Sequence, residues 1–205
     1  RRVGLLCHQA SVTRDLTHAV DVIRALPGVT LAALFAPEHG IAGTAQDLIH
    51  VAPARDRATG LTVWSLYGRR LAPTPMALAM QACARADLPV VVLDRPNPLG
   101  GIQMESNVAD PAYAASFVGL YPLAVRHGMT IAELAAYLNE THGFGADLTV
   151  VPMDGWRRAM GWEATGLPWV LPSPNMPTPD TARVYPGGCL IEGTNLSEGR
   201  GTTRP

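Results

Sequence analysis

Apolar runs broken by proline, glycine and short polar turns recur along the chain, and their spacing separates strands from helices. Residues 1–11, RRVGLLCHQAS, predict a short buried strand that ends in polar residues. Leu16, Val20, Ile23 and Leu26 then fall near one face of a 3.6-residue period, which predicts a helix stopped by Pro27 and Gly28. VTLAALFAPEHG reads as a second apolar strand, LTVWSLYG as an alternating one, MALAMQACARAD as a helix, and LPVVVLDRPNPLGG as the next strong strand. GMTIAELAAYLNETHG carries a capping box, in which Thr130 accepts from the amide three residues on and Glu133 reaches back to the amide of Thr130. That helix stops at Gly143 or Gly145, and ADLTVVPMDGW follows as a strand. The C-terminal stretch, rich in Pro and Gly, reads as irregular with a short strand at GGCLIEG.

Strands and helices in alternation, with continuously apolar strands, predict an α/β fold: a Rossmann-like, mostly parallel sheet with helices on both faces. At 205 residues the chain holds material for one well-buried core and reads as one main domain. Hydrophobic residues make up 47% and charged residues 16%, so some apolar surface is expected to face another domain or subunit. A net charge of −1 gives no general attraction for nucleic acid or an anionic membrane. Cys7, Cys83 and Cys189 are too far apart to predict a disulfide framework or a zinc motif, and read as buried free thiols. No apolar stretch reaches the ~18–20 residues of a membrane span, and no signal peptide is visible.

In open parallel sheets ligands bind beyond the carboxyl ends of the strands. Here those ends read CHQAS, APEHG, DRPNPLGG and VPMDGW, so Glu38, His39, Asp94, Arg95 and Asn97 are expected to gather in one cleft. Glu38 beside His39 suits a general acid with a tuning neighbour; a helix-capping acid and a surface histidine is the plainer alternative. Asp94 and Arg95, in a loop stiffened by two prolines, either bind a polar substrate or pair with each other. IEGTNLSEGRGT collects Glu192, Asn195, Ser197, Glu198 and Arg200. It lacks the Lys-Ser/Thr ending of a phosphate loop and suits a sugar site better: carboxylates for protons and hydroxyls, a guanidinium for an anionic substituent. Arg126 and His127, after Tyr121 and just before the capped helix, either bind a carboxylate or pin the loop, and Asn175 either points into the cleft or closes an Asx turn. HExxH, G-x-S-x-G and GxGxxG are missing, as is a basic aromatic patch.

LFAPEHG, VVLDRPNPLGG, SFVGLYPLAVRHGMTIAELA, LTVVPMDGWRR, GLPWVLPSPNMPT and CLIEGTNLSEGRGTTRP, in this order, resemble the bacterial exo-β-N-acetylmuramidase family, the NamZ or YbbC-like proteins. The resemblance implies a glycoside hydrolase that removes N-acetylmuramic acid from the non-reducing end of peptidoglycan fragments such as MurNAc-GlcNAc. It implies a Rossmann-like N-terminal domain and a smaller C-terminal domain with the active site in the cleft between them. On that reading residues 1–185 form the catalytic domain, and residues 186–205 are a Gly-rich active-site segment leading to a C-terminal domain that this chain lacks. Glu38 becomes the candidate catalytic carboxylate and His39 its partner. Glu192 and Glu198 are candidates for the second catalytic group, unless the substrate's own 2-acetamido group takes that part. Asp94, Arg95, Asn97, Arg126, His127, Asn175, Asn195 and Arg200 are expected to bind the sugar, with Arg95, Arg126 or Arg200 reading the lactyl carboxylate. The scheme requires no metal and no cofactor. The family's substrate implies an extracytoplasmic location, periplasmic or secreted. A non-catalytic cell-wall sugar-binding module is the rival reading. A strand and an Asp-Val-Gly loop that the family carries between YGRRLAPTP and MALAMQACARA are missing.

Overall fold

The structure, a computed structural model, describes residues 1–37, 40–43, 53–66, 75–108, 110, 112 and 120–202. Its contacts gather the chain into two compact units. One comprises Arg1–Pro73, Pro168–Thr181 and Ile191–Pro205, the other Thr74–Leu167 and Ala182–Leu190.

In the first unit, β1 (Arg2–Leu6), β2 (Thr30–Ala36) and β4 (Thr62–Ser65) pair in parallel, and the short β3 (Ala54–Arg55) joins β4 antiparallel, giving the order β1-β2-β4-β3. The apolar residues of β2 supply the centre of the core: Leu31 and Leu34 pack with Cys7 and Val20, flanked by Val3, Leu5, Ile23 and Val63. Burial, with Asp56 adding repulsion, pushes the Cys7 thiol up to about 11. Helix α1 (Ala19–Ala25) starts later than the periodicity predicts. Leu16 lies outside it at φ 65°, in a turn where Thr13 and Thr17 bond to Asp15, and is 55% exposed. The helix instead opens on His18, whose Nδ1 accepts from the amide of Val20 (3.2 Å) while Nε2 meets the carbonyl of His8 (3.1 Å).

In the second unit, β5 (Val90–Leu93) and β6 (Leu148–Val151) form a separate parallel pair, registered from Val90 against Leu148 to Leu93 against Val151. The α/β class and the parallel pairing are as expected, but among the described residues the strands fall in two sheets rather than one. Helices α2 (Pro75–Arg85) and α3 (Ile131–Thr141) bring Met80, Ala132 and Ala135 into a core with Val92 and Ala146. The capping box of α3 is complete: Thr130 Oγ1 accepts from the amide of Glu133 (3.3 Å), and the amide of Thr130 donates to Glu133 Oε2 (3.0 Å). Thr130 itself is 2% exposed.

The C-terminal stretch departs from expectation. Pro179–Gly188 is a helix, α4, and Cys189–Gly193 a 3-10 turn, where an irregular segment and a short strand were expected. Thr178 Oγ1 accepts from the amide of Thr181 (3.2 Å), and Pro179 follows it at the first helical position, where its missing N–H costs nothing.

Candidate functional site

Strand β5 ends at Leu93, and the next residue ties it to the start of α3. Asp94 Oδ1 accepts from the amides of Ala132 (3.0 Å) and Arg95 (2.9 Å), and Oδ2 accepts from Thr130 Oγ1 (3.1 Å). A carboxylate there meets free amides and the positive end of the helix dipole. Asp94 thus anchors the helix entrance. Asn97 works similarly on the loop: its Nδ2 donates to the carbonyl of Met129 (3.0 Å), and its Oδ1 accepts from the amide of Leu99 (2.9 Å).

The second loop is held from its own side. Arg126 donates through Nη1 to Glu105 Oε2 (2.6 Å) and through Nη2 to the carbonyl of Leu99 (3.1 Å), and Arg126 and Glu105 exchange backbone bonds of 3.0 and 3.2 Å. Its side chain is 17% exposed. His127 Nδ1 accepts from the amide of Met129 (3.0 Å), which places the proton of the neutral ring on Nε2. Burial holds its pKa below the usual histidine value. Burial likewise lowers the pKa of the Arg95 guanidinium. Asp94, Asn97, Arg126 and His127 therefore come together in the second unit as one bonded loop assembly. Arg158 belongs with them: its guanidinium reaches the carbonyls of Gly101 and Gly128 and pairs with Glu133. The sequence reading did not single it out, although it lies in the GWRR stretch, because spacing does not reveal which arginine meets backbone carbonyls.

In the first unit Arg200 stands between two acids. Its Nε donates to Glu198 Oε1 (2.6 Å), and its Nη2 lies 2.9 Å from Glu192 Oε1. Each ion pair favours the ionised form of its glutamate, and a substrate carboxylate would compete with both for the guanidinium. Asn175 Oδ1 accepts from the amide of Gly201 (3.1 Å), so it fastens the 173–176 turn to the Gly-rich segment, while Asn195 is exposed. Glu38 and His39 lie outside the described residues.

His127 gives a pH test. Its folded-state pKa lies below 6.5, so the unfolded chain binds the proton first as pH falls. The stability from this group is complete above about pH 6.5 and is lost as pH falls from there through the folded pKa, with a slope of at most about 1.4 kcal/mol per pH unit. Urea unfolding of the parent and of His127→Asn, across pH 5 to 8, should show a steeper acid loss in the parent. Parallel curves would refute the assignment.

The sequence matches the family model described as "Exo-beta-N-acetylmuramidase NamZ, N-terminal" over residues 3–79 and 74–180, and the corresponding C-terminal model over residues 183–205. It is 46% identical to the peptidoglycan beta-N-acetylmuramidase NamZ of Bacillus subtilis (strain 168), across all of this chain and 56% of that protein. That alignment runs over 231 positions against 205 residues, and the N-terminal model matches in two segments that overlap at 74–79. Among solved structures, two DUF1343 family proteins of Bacteroides fragilis NCTC 9343 match the whole chain. One has a TM-score of 0.89 at 36% identity, the other 0.83 at 30%, with 59% and 60% of those chains covered. The chain thus spans little more than half the length of the relatives it matches.

Proposed function

The chain belongs to the exo-β-N-acetylmuramidase NamZ family, and from that premise we propose that the protein releases N-acetylmuramic acid from the non-reducing end of peptidoglycan fragments. The observation that carries this reading is the family match over residues 3–180, joined to 46% identity with a relative named for that activity. The chemistry follows from the bond to be broken. The glycosidic oxygen needs a proton as an oxocarbenium-like transition state develops, and a second group must serve the anomeric carbon. Glu38 supplies the proton with His39 beside it; Glu192, Glu198 or the substrate's 2-acetamido group serves the anomeric carbon. Carboxyl groups ~5 Å apart would give retention and ~6.5–9.5 Å inversion. Since the substrate is cell-wall material, we place the work outside the cytoplasm.

The test is release of free N-acetylmuramic acid from MurNAc-GlcNAc by the full-length protein. Release supports the hydrolase. A folded protein that binds the sugar and releases none would be the sugar-binding module instead.

Selectivity for the muramic sugar needs a cation for its lactyl carboxylate. Burial strips water from the Arg95 guanidinium, and a desolvated guanidinium gains most from an anionic ligand, so we choose Arg95 for that role. Arg95→Ala should weaken binding of a muramide roughly 10- to 100-fold while leaving the matching glucosaminide nearly unchanged, the size of a lost charge-assisted bond. Equal losses for both sugars would sink this choice of arginine.

A further inference from the structure

Arg158 makes contacts out of proportion to its half-exposed position. Its Nη1 donates to the carbonyls of Gly128 (3.2 Å) and Gly101 (3.4 Å), its Nη2 pairs with Glu133, and its own carbonyl accepts from the amide of Gly101 (2.7 Å). The side chain is 52% exposed, so the ion pair alone contributes little to stability. The carbonyl bonds act on position instead. They join the end of the 94–101 loop to the 126–130 loop, the two segments that carry Arg95, Asn97, Arg126 and His127.

The glycines show how close this junction is. A Cβ on Gly101 would lie 3.0 Å from both Arg158 Nη1 and the carbonyl oxygen of Gly128. Gly128, at φ 66°, would bring a Cβ to 3.3 Å from the carbonyl oxygens of Gln103 and Gly101. Backbone meets backbone, with one guanidinium nitrogen donating to both sides of the join. Both carbonyl bonds come from Nη1, and a lysine ends in a strongly hydrated ammonium on a shorter stem that does not reach that point.

We infer that Arg158 is a positioning residue for the reaction: it sets the loop bearing Arg95 and Asn97 against the loop bearing Arg126 and His127 without touching substrate. The inference rests on the proposed muramidase reading. Misplacing binding groups by about 1 Å costs up to ~100-fold in rate.

The experiment compares the full-length protein with Arg158→Ala, Arg158→Lys and Glu133→Gln, reading kcat and KM on MurNAc-GlcNAc, melting temperature, and binding of N-acetylmuramic acid by calorimetry. Arg158→Ala should lose roughly 10- to 100-fold in kcat/KM with little change in melting temperature, and millimolar guanidinium should restore part of it. Arg158→Lys should stay impaired despite its charge. Glu133→Gln, which removes the ion pair but leaves the carbonyl bonds, should stay near the parent. Unchanged kcat/KM in Arg158→Ala would overturn the inference, as would a loss matched by unfolding and deaf to guanidinium. If the parent binds the sugar but hydrolyses nothing, the muramidase reading fails, and the effect of Arg158→Ala on sugar affinity still decides the positioning role.

Discussion

Replacing Glu38 by glutamine is expected to lower release of N-acetylmuramic acid by roughly 100-fold or more, the contribution of a general acid, with the fold unchanged. Glu38 follows Ala36, the fully buried last residue of a central parallel strand, by two positions. That location, just past a strand's carboxyl end, is where open α/β sheets present ligand-binding groups. Glutamine keeps the shape and a hydrogen-bonding end but has no proton to give. The loss should fall on kcat for the natural disaccharide. It should shrink for an aryl muramide, whose phenolate departs without protonation. An equal loss on both substrates would remove Glu38 from the acid role, and a variant with full activity would leave it a structural acid and move attention to Glu192 and Glu198.

Asp94→Ala is expected to destabilise the second unit strongly. The carboxylate fills one amide and one hydroxyl at a helix start where Thr130 and Ala132 are each 2% exposed, so its removal leaves buried donors without acceptors. A cost of about 2–4 kcal/mol follows, since bonds to a charged acceptor are the stronger ones. For a chain of this size that lowers the melting temperature by roughly 5–15 °C. Asp94→Asn retains an acceptor oxygen and should fall between variant and parent. If Asp94→Ala melted with the parent yet lost sugar binding, the residue would serve the substrate rather than the helix.

Local signals were the legible ones. The Thr130–Glu133 box and the apolar runs at 30–36 and 90–93 announce themselves because helix caps and buried strands depend on neighbours within a few residues. The start of α4 was equally local, in the Thr-Pro-Asp-Thr of 178–181, but Pro186, Gly187 and Gly188 within the same helix masked it. Leu16 misled the period because it is apolar yet sits in a turn held by Thr13, Asp15 and Thr17, where side-chain bonds outweigh helix propensity. β3 has two residues, too few to show an alternation. The bonding at the candidate site was not legible. Asp94 meets residues 36 and 38 positions away, and Arg158 meets residues 30 and 57 positions away, so only the packed chain shows which polar group serves which loop.

Cys7 gives the first unit a built-in clock. A thiolate is the reactive form, and with a thiol held near 11 in a core of aliphatic side chains almost none exists at neutral pH while β1 and β2 stay paired. Alkylation of Cys7 is therefore expected to need local opening of this core. Its rate, set against that of an unfolded peptide, reads the free energy of opening one part of the molecule without any substitution.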